Sequence, residues 1–278
     1  MDRLAIAAAL GAALLASTAP PAHAYAPAHR MPAPPALDSG CVKVMYVGAR
    51  GSGQSASGYG GMGHEVSALS APIKARAATK RERFGTYGVP YTAASVSVLV
   101  PPQEIWIGGV AAANAYVWDT GLPRYLASIN DGVNRTIAYV KSYSAACPNA
   151  RFVLAGYSQG AIVMHQAERV LSAGLRSKIA ATLLLADGDR VKSSAAKHFG
   201  TAPVGQEGVE NWATKGLRAH DVALPAATAE ICNKGDIVCD TSDGVFPYHP
   251  AAGVKVHTSY LTANSAAMNA ARWAAGRI

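Results

Sequence analysis

Apolar and polar positions alternate through Cys41-Val42-Lys43-Val44-Met45-Tyr46-Val47, and this valine-rich stretch predicts a strand that runs into a glycine-rich loop, Gly48 to Gly63. A second strand is expected over Ala93 to Val100, where Val96, Val98, Leu99 and Val100 precede Pro101 and Pro102. The period then changes: Val133, Ile137, Ala138, Val140 and Tyr143 recur at helical spacing and predict an amphipathic helix over Asp131 to Ser144. Short apolar runs at Arg151 to Ala155 and Ala180 to Ala186 read as buried strands, the latter ended by Asp187-Gly188. Ala161 to Leu171 reads as a helix with Gly174 as its stop, and Ser265 to Arg277, with Ala and Met on one face, as a closing helix. Strands alternating with helices imply an α/β fold, a mostly parallel sheet covered on both faces. No internal repeat is visible, and one domain is expected over residues 39–278.

The N-terminus follows a different pattern. Arg3 precedes an apolar run from Leu4 to Ser17, and Pro20, Pro21 and Ala22-His23-Ala24 follow it. A basic start, a short apolar stretch and small residues at the −3 and −1 positions are the order of a secretory signal peptide, here residues 1–24. The run is about 14 residues, short of the roughly 20 that span a bilayer, so an uncleaved anchor is the weaker reading. Residues 25–38, rich in Pro and Ala, read as an extended tail.

Composition narrows the class. Half the residues are apolar and 15% charged, which excludes a disordered chain, and 27 Gly with 16 Pro lack the triplet period of collagen. The net charge of +8 is scattered. Its one cluster, Lys80-Arg81-Glu82-Arg83, reads as a solvated face, and no nucleic-acid partner is expected. Export places Cys41, Cys147, Cys232 and Cys239 in an oxidising compartment, where disulfides persist. Four cysteines allow three connectivities. Spacing favours Cys232 with Cys239 across a tight loop and Cys41 with Cys147; a zinc site is the weaker competitor, since no histidine cluster accompanies them.

The sharpest chemical signal is Gly156-Tyr157-Ser158-Gln159-Gly160, set between an expected strand and an expected helix. A serine hydroxyl is a poor nucleophile until a tight strand-to-helix turn lifts it out of the sheet and a base lies beside it. The Gln159 N–H, at the helix N-terminus, would then face the oxyanion. On such a fold the triad runs Ser, Asp or Glu, then His along the chain, which filters the eight histidines. His23 leaves with the leader, His29 is in the tail, His64 precedes the serine and His165 lies two turns after it. His198 and His220 come too early if the acid is Asp236. His257, ahead of Thr258-Ser259-Tyr260, is favoured, and His249 within Pro247-Tyr248-His249-Pro250 stays as the alternative. Asp236, inside the Cys232 to Cys239 loop, is the favoured acid; Asp187 and Asp189 are runners-up, and Asp240 and Asp243 read as solvated loop residues.

Several pieces together resemble the cutinase family of secreted serine esterases, which includes fungal cutinases, acetylxylan esterases and the cutinase-like proteins of actinobacteria. They are Gly48-Ala49-Arg50-Gly51-Ser52-Gly53-Gln54, Cys147-Pro148 ahead of the serine motif, Gly235-Asp236 inside its Cys loop, and His257-Thr258-Ser259-Tyr260. The resemblance implies a three-layer α/β-hydrolase fold, a triad of Ser158, Asp236 and His257, an oxyanion hole of Ser52 and Gln159, and the pairings Cys41–Cys147 and Cys232–Cys239. The role of Ser52 comes from the resemblance alone; its loop otherwise reads as a flexible Gly/Ser turn.

Three departures stand out. The interval from Asp236 to His257 is longer than in compact fungal members, Leu185-Ala186-Asp187-Gly188-Asp189 stands where Gly-Asp-Pro is usual, and Pro101 to Asp131, with Trp106, Tyr116 and Trp118, matches poorly. They bear on substrate preference more than on chemistry. The expectation is a secreted, monomeric carboxylic-ester hydrolase with no metal or organic cofactor. Its substrate would be an ester of a lipid, polyester or acetylated polysaccharide, reached by transient contact with a lipid surface. The alternative is a catalytically silent protein that binds an envelope lipid or polysaccharide on the same fold, its positive charge favouring an anionic surface.

Overall fold

Parallel strands cannot be joined by tight turns, so each must be followed by a crossover long enough to return the chain to the same edge. The computed structural model describes residues 40–99, 105, 109–192, 194–214, 227–242, 250–261 and 265–278. The expected leader and tail, and His220, Asp243 and His249, lie outside these residues. The strands are β1 (Val44–Ala49), β2 (Phe84–Gly88), β3 (Arg151–Tyr157), β4 (Ile179–Leu185), β5 (Lys197–Phe199) and β6 (Thr228–Ile231). They form one sheet in the order β2-β1-β3-β4-β6-β5, every described pairing parallel.

The crossovers are helical. Helix α1 (His64–Thr79) links β1 to β2, and α2 (Gly109–Tyr116), a π-helical turn (Val117–Gly121) and α3 (Leu122–Ala146) lead to β3. Then α4 (Gln159–Val170) and the single turn α5 (Ala173–Arg176) lead to β4. Later come α6 (Val209–Thr214), α7 (Pro250–His257) and α8 (Ala266–Ala275).

Both sheet faces are buried, as strands apolar on both sides require. Tyr46, Val153 and Leu183 face Val66, Leu69 and Ile73 of α1 and the alanines of α8. Met45, Val47, Phe152, Leu154 and Leu184 face Ile129, Val133 and Val140 of α3 and Ile162 and Val163 of α4. Each fully buried Leu, Ile or Val contributes about 1.5–3 kcal/mol relative to exposure. The result is three layers, helix on sheet on helix.

Register brings distant loops together. β1 pairs with β3 from Val44–Arg151 to Ala49–Gly156, and Leu185 of β4 pairs with both Tyr157 and Ile231. The segments that follow β1, β3, β4 and β6 therefore leave the sheet side by side at its carboxyl edge, where ligands bind in open α/β sheets.

Several sequence expectations are corrected. Ala93 to Val100 does not form a strand: Val96–Leu99 is a 3-10 turn, and Val100 lies outside the described residues. The place beside β1 belongs to β2, which α1 delivers, and the backbone of Ala93 and Ala94 bonds instead to the Gly53 N–H (2.8 Å) and Ser128 Oγ (3.0 Å). Gly174 is not the stop of α4, which ends at Leu171 in extended conformation (ψ 138°); Gly174 lies inside α5. The amphipathic helix over 131–144 is the centre of the longer α3, and α1, β2, β5 and β6 were not anticipated. The closing helix is α8, with Ser265 capping the Met268 N–H.

Disulfides join Cys41 to Cys147 and Cys232 to Cys239. The first ties the chain ahead of β1 to the end of α3. The second closes the loop after β6, and with all four sulfurs so bonded the zinc reading falls.

Candidate active site

Ser158 follows β3 directly and caps α4, with φ 54° and ψ −120°. A non-glycine residue in that region costs about 1–3 kcal/mol and persists only where its surroundings enforce it. Here the Ser158 N–H donates to the Leu185 carbonyl (2.9 Å), and its own carbonyl accepts from the Ala161 N–H (2.9 Å) to start the helix. The two flanking glycines make the turn possible. A Cβ on Gly156 would sit 2.0 Å from the Gly160 oxygen, and one on Gly160 would sit 2.1 Å from the Ala49 oxygen. Strand and helix approach so closely that only glycine fits at either point.

Asp236 and His257 lie beside this turn. His257 Nδ1 is 3.0 Å from both Asp236 carboxylate oxygens. The Val238 and Cys239 N–H groups donate to Oδ1 (2.7 and 3.2 Å), and the Tyr260 hydroxyl donates to Oδ2 (2.7 Å). Burial alone would raise the Asp236 carboxyl, but the facing His257, the Val238 N–H and the Tyr260 hydroxyl outweigh it and hold the group below its ordinary value. His257 closes α7, and its ring stacks on that of Tyr157 (centroids 5.1 Å apart), whose hydroxyl donates to the His257 carbonyl (2.8 Å). Tyr157 is the residue before Ser158. The imidazole is thus anchored to the serine turn through the side chain of Tyr157. A carboxylate that accepts from Nδ1–H leaves Nε2 as the basic nitrogen.

The loop after β1 is held just as firmly. Buried Arg50 donates to the carbonyls of Gln54 (2.9 Å), Val89 (3.3 Å) and Tyr91, and the Tyr91 hydroxyl donates back to the Arg50 carbonyl. Gln54 Oε1 accepts from the Gly51 N–H (2.7 Å) while its Nε2 donates to Glu65 (2.6 Å). The loop is not a free Gly/Ser turn. Ser52 stands at its apex, its hydroxyl 3.2 Å from that of Tyr125 on α3. Gln159 is the first residue of α4, where an N–H has no acceptor within the helix.

The structure brings Ser158, Asp236, His257, Ser52 and Gln159 to one edge of the sheet. The runner-up acids are engaged elsewhere. Asp187 pairs with buried His165 (2.6 Å), and Asp189 accepts from Gln166 (2.6 Å). Burial lowers the His165 imidazole, but the charge and hydrogen bond of Asp187, with the charges of Asp189 and Glu230, together outweigh it and raise the group. Asp240 is not a solvated loop residue: it is buried, accepting from the Gly235 (2.8 Å) and Ser242 (3.1 Å) N–H groups. Sequence reasoning assigned no role to Arg50, Gln54, Tyr125, Tyr157 or Tyr260. Tyr157 and Tyr260 stand inside recognised motifs, a signal that could have flagged them; nothing local marks Tyr125.

A three-layer parallel sheet with a strained serine turn at its carboxyl edge, and an Asp–His pair stacked on the residue before that serine, has the architecture of an α/β-hydrolase. The Cutinase family profile matches residues 40–278, and the chain belongs to that family. Cutinase 1 of Fusarium vanettenii is 30% identical over 185 residues, covering 65% of this chain and 68% of its own. The chain spans about two thirds of the length of the curated relatives it matches. Among solved structures, a cutinase-like protein from Cryptococcus sp. superposes with TM-score 0.53 at 18% identity, over 85% of this chain and 95% of that one. An acetylxylan esterase superposes with TM-score 0.52 at 17% identity, over 85% and 96%.

Proposed function

We propose that the protein is a serine esterase that cleaves carboxylic esters through an acyl-enzyme. Ser158 Oγ attacks the ester carbonyl while His257 Nε2 takes its proton, and Asp236 holds the imidazole and stabilises its charged form. The carbonyl oxygen, now negative, rests on the Gln159 N–H and the Ser52 hydroxyl. The tetrahedral intermediate collapses, His257 returns the proton to the departing alkoxide, and an alcohol leaves. Water, deprotonated by His257, then attacks the acyl-serine, and the acid departs as Ser158 regains its proton.

The single observation that carries this reading is the Asp236–His257 contact, both carboxylate oxygens at 3.0 Å from Nδ1, packed through Tyr157 against the strained Ser158 turn. Substrates in reach of the reading are polyesters, acyl lipids and acetylated polysaccharides; the relatives named cutinase and acetylxylan esterase fit that range. The protein would work as an exported monomer after loss of residues 1–24, and its two disulfides suit an oxidising compartment.

Hydrolysis of p-nitrophenyl esters from acetyl to dodecanoyl, with acetylated xylan as a further substrate, tests the proposal. Ser158→Ala is expected to lower turnover by about 10⁶ with its circular dichroism unchanged. Wild type should be labelled at Ser158 by a fluorophosphonate. Equal rates in the two proteins, or a wild type that resists the label as a purely binding protein would, end the assignment.

A further inference from the structure

A hydroxyl in an oxyanion hole is useful only if its proton points at the reacting oxygen, and a serine hydroxyl rotates freely unless a neighbour occupies its lone pair. Tyr125 supplies such a neighbour, 3.2 Å from Ser52 Oγ. Either hydroxyl could donate across that contact, but a phenol is a stronger donor and a weaker acceptor than an alkyl hydroxyl, so the Tyr125 proton goes to Ser52 Oγ. The proton of Ser52 is then left for a third partner. Burial, with Glu210 and Asp189 nearby, raises the Tyr125 phenol far above its ordinary value, so it stays protonated across the working range.

We propose that Tyr125 is a positioning residue whose phenol donates to Ser52 Oγ and so aims the Ser52 hydroxyl at the oxyanion. The inference rests on the assignment of Ser52 to the oxyanion hole, and the test separates the two.

Four proteins are compared on one p-nitrophenyl ester: wild type, Tyr125→Phe, Ser52→Ala and the double variant. Ser52→Ala should lower kcat by about 10²–10³, the effect of removing one oxyanion donor. Tyr125→Phe keeps the donor but frees it to rotate, so kcat should fall about tenfold with KM within about twofold. Inhibition by an alkylboronic acid, which forms a tetrahedral adduct on the serine, should weaken by the same factor as kcat. The double variant should match Ser52→Ala within about twofold, because the phenol has nothing left to aim.

Full activity in Ser52→Ala overturns the oxyanion assignment itself. A large loss there, with Tyr125→Phe within twofold of wild type, overturns only the aiming role of Tyr125. So does a tyrosine effect that multiplies fully onto Ser52→Ala and comes with a lower thermal midpoint, the mark of a merely structural side chain.

Discussion

Removing the two disulfides separately should separate stability from catalysis. Cys41–Cys147 joins residues 106 apart, and Cys232–Cys239 residues 7 apart. In the chain-entropy account, stabilisation grows with the logarithm of the closed loop, which gives about 5 kcal/mol for the first and about 2.5 kcal/mol for the second. Against a total of about 5–15 kcal/mol for an ordinary domain, the first is the larger threat to the fold. Its removal (Cys41→Ala with Cys147→Ala) loosens the base of β1 and the end of α3, at the opposite edge of the sheet from Ser158. The small loop instead frames Asp236, whose Oδ1 accepts from the Cys239 N–H (3.2 Å). Its removal (Cys232→Ala with Cys239→Ala) should cost less stability but let the carboxylate drift from His257. The loop's own bonds, Asp236 N–H to Asn233 and Asp240 N–H to Asp236, keep that loss partial.

The assay is urea unfolding followed by tryptophan fluorescence, paired with kcat on the folded fraction at 25 °C. The large-loop variant should show the lower midpoint with kcat within about twofold of wild type. The small-loop variant should lose at least about tenfold in kcat, bounded by the roughly 3 × 10⁴ that removal of a triad acid costs. If the small-loop variant keeps full kcat, or proves the less stable of the two, the reasoning is refuted.

Other outcomes can be checked on the same material. Gly160→Ala would press a methyl group against the Ala49 carbonyl, a 2.1 Å approach, so a loss of at least about 1–3 kcal/mol is expected, measured as a lower urea midpoint. The Asp236 carboxyl lies below its ordinary value, so its contribution to stability is complete above about pH 4 and is lost as pH falls through its folded value. Asp236→Asn should therefore flatten the acid side of a midpoint-against-pH curve; an unchanged slope would argue against the pairing with His257. Glu168 has the opposite sign. Burial raises its carboxyl above the ordinary range despite the Thr228 hydroxyl (2.9 Å), so its contribution declines as pH rises from its unfolded value towards its folded one. Glu168→Gln should raise the thermal midpoint at pH 7 and leave it nearly unchanged near pH 4.

Much of the candidate site's geometry was legible because its rules are local. A glycine on either side of Ser158 is demanded by a steric approach within five residues, and an acid between two nearby cysteines announces a loop that holds it. The errors in the fold are also local in origin. Val96, Val98 and Val100 look like a strand, yet the place beside β1 goes to β2, and the backbone of Ala93 and Ala94 is bonded to Gly53 and Ser128 instead. α1 carries Val66, Leu69, Ile73 and Ala77 on one face, but Pro72 interrupts the pattern, and only burial against the sheet and α8 makes the helix worth its missing hydrogen bond.

Taken as a string, the residues determined the layer architecture, the glycine-flanked serine turn and the chain order of the candidate serine, acid and base, since periodicity, glycine sterics and motif spacing act over short stretches of backbone. Only the folded chain decided which carboxylate meets which imidazole: Asp236 with His257, and Asp187 with His165. It alone placed Tyr157 on His257 across 100 positions and Tyr125 on Ser52 across 73. Those meetings depend on the register of parallel strands and on where helices settle over them, quantities to which every buried side chain contributes and which no short segment encodes.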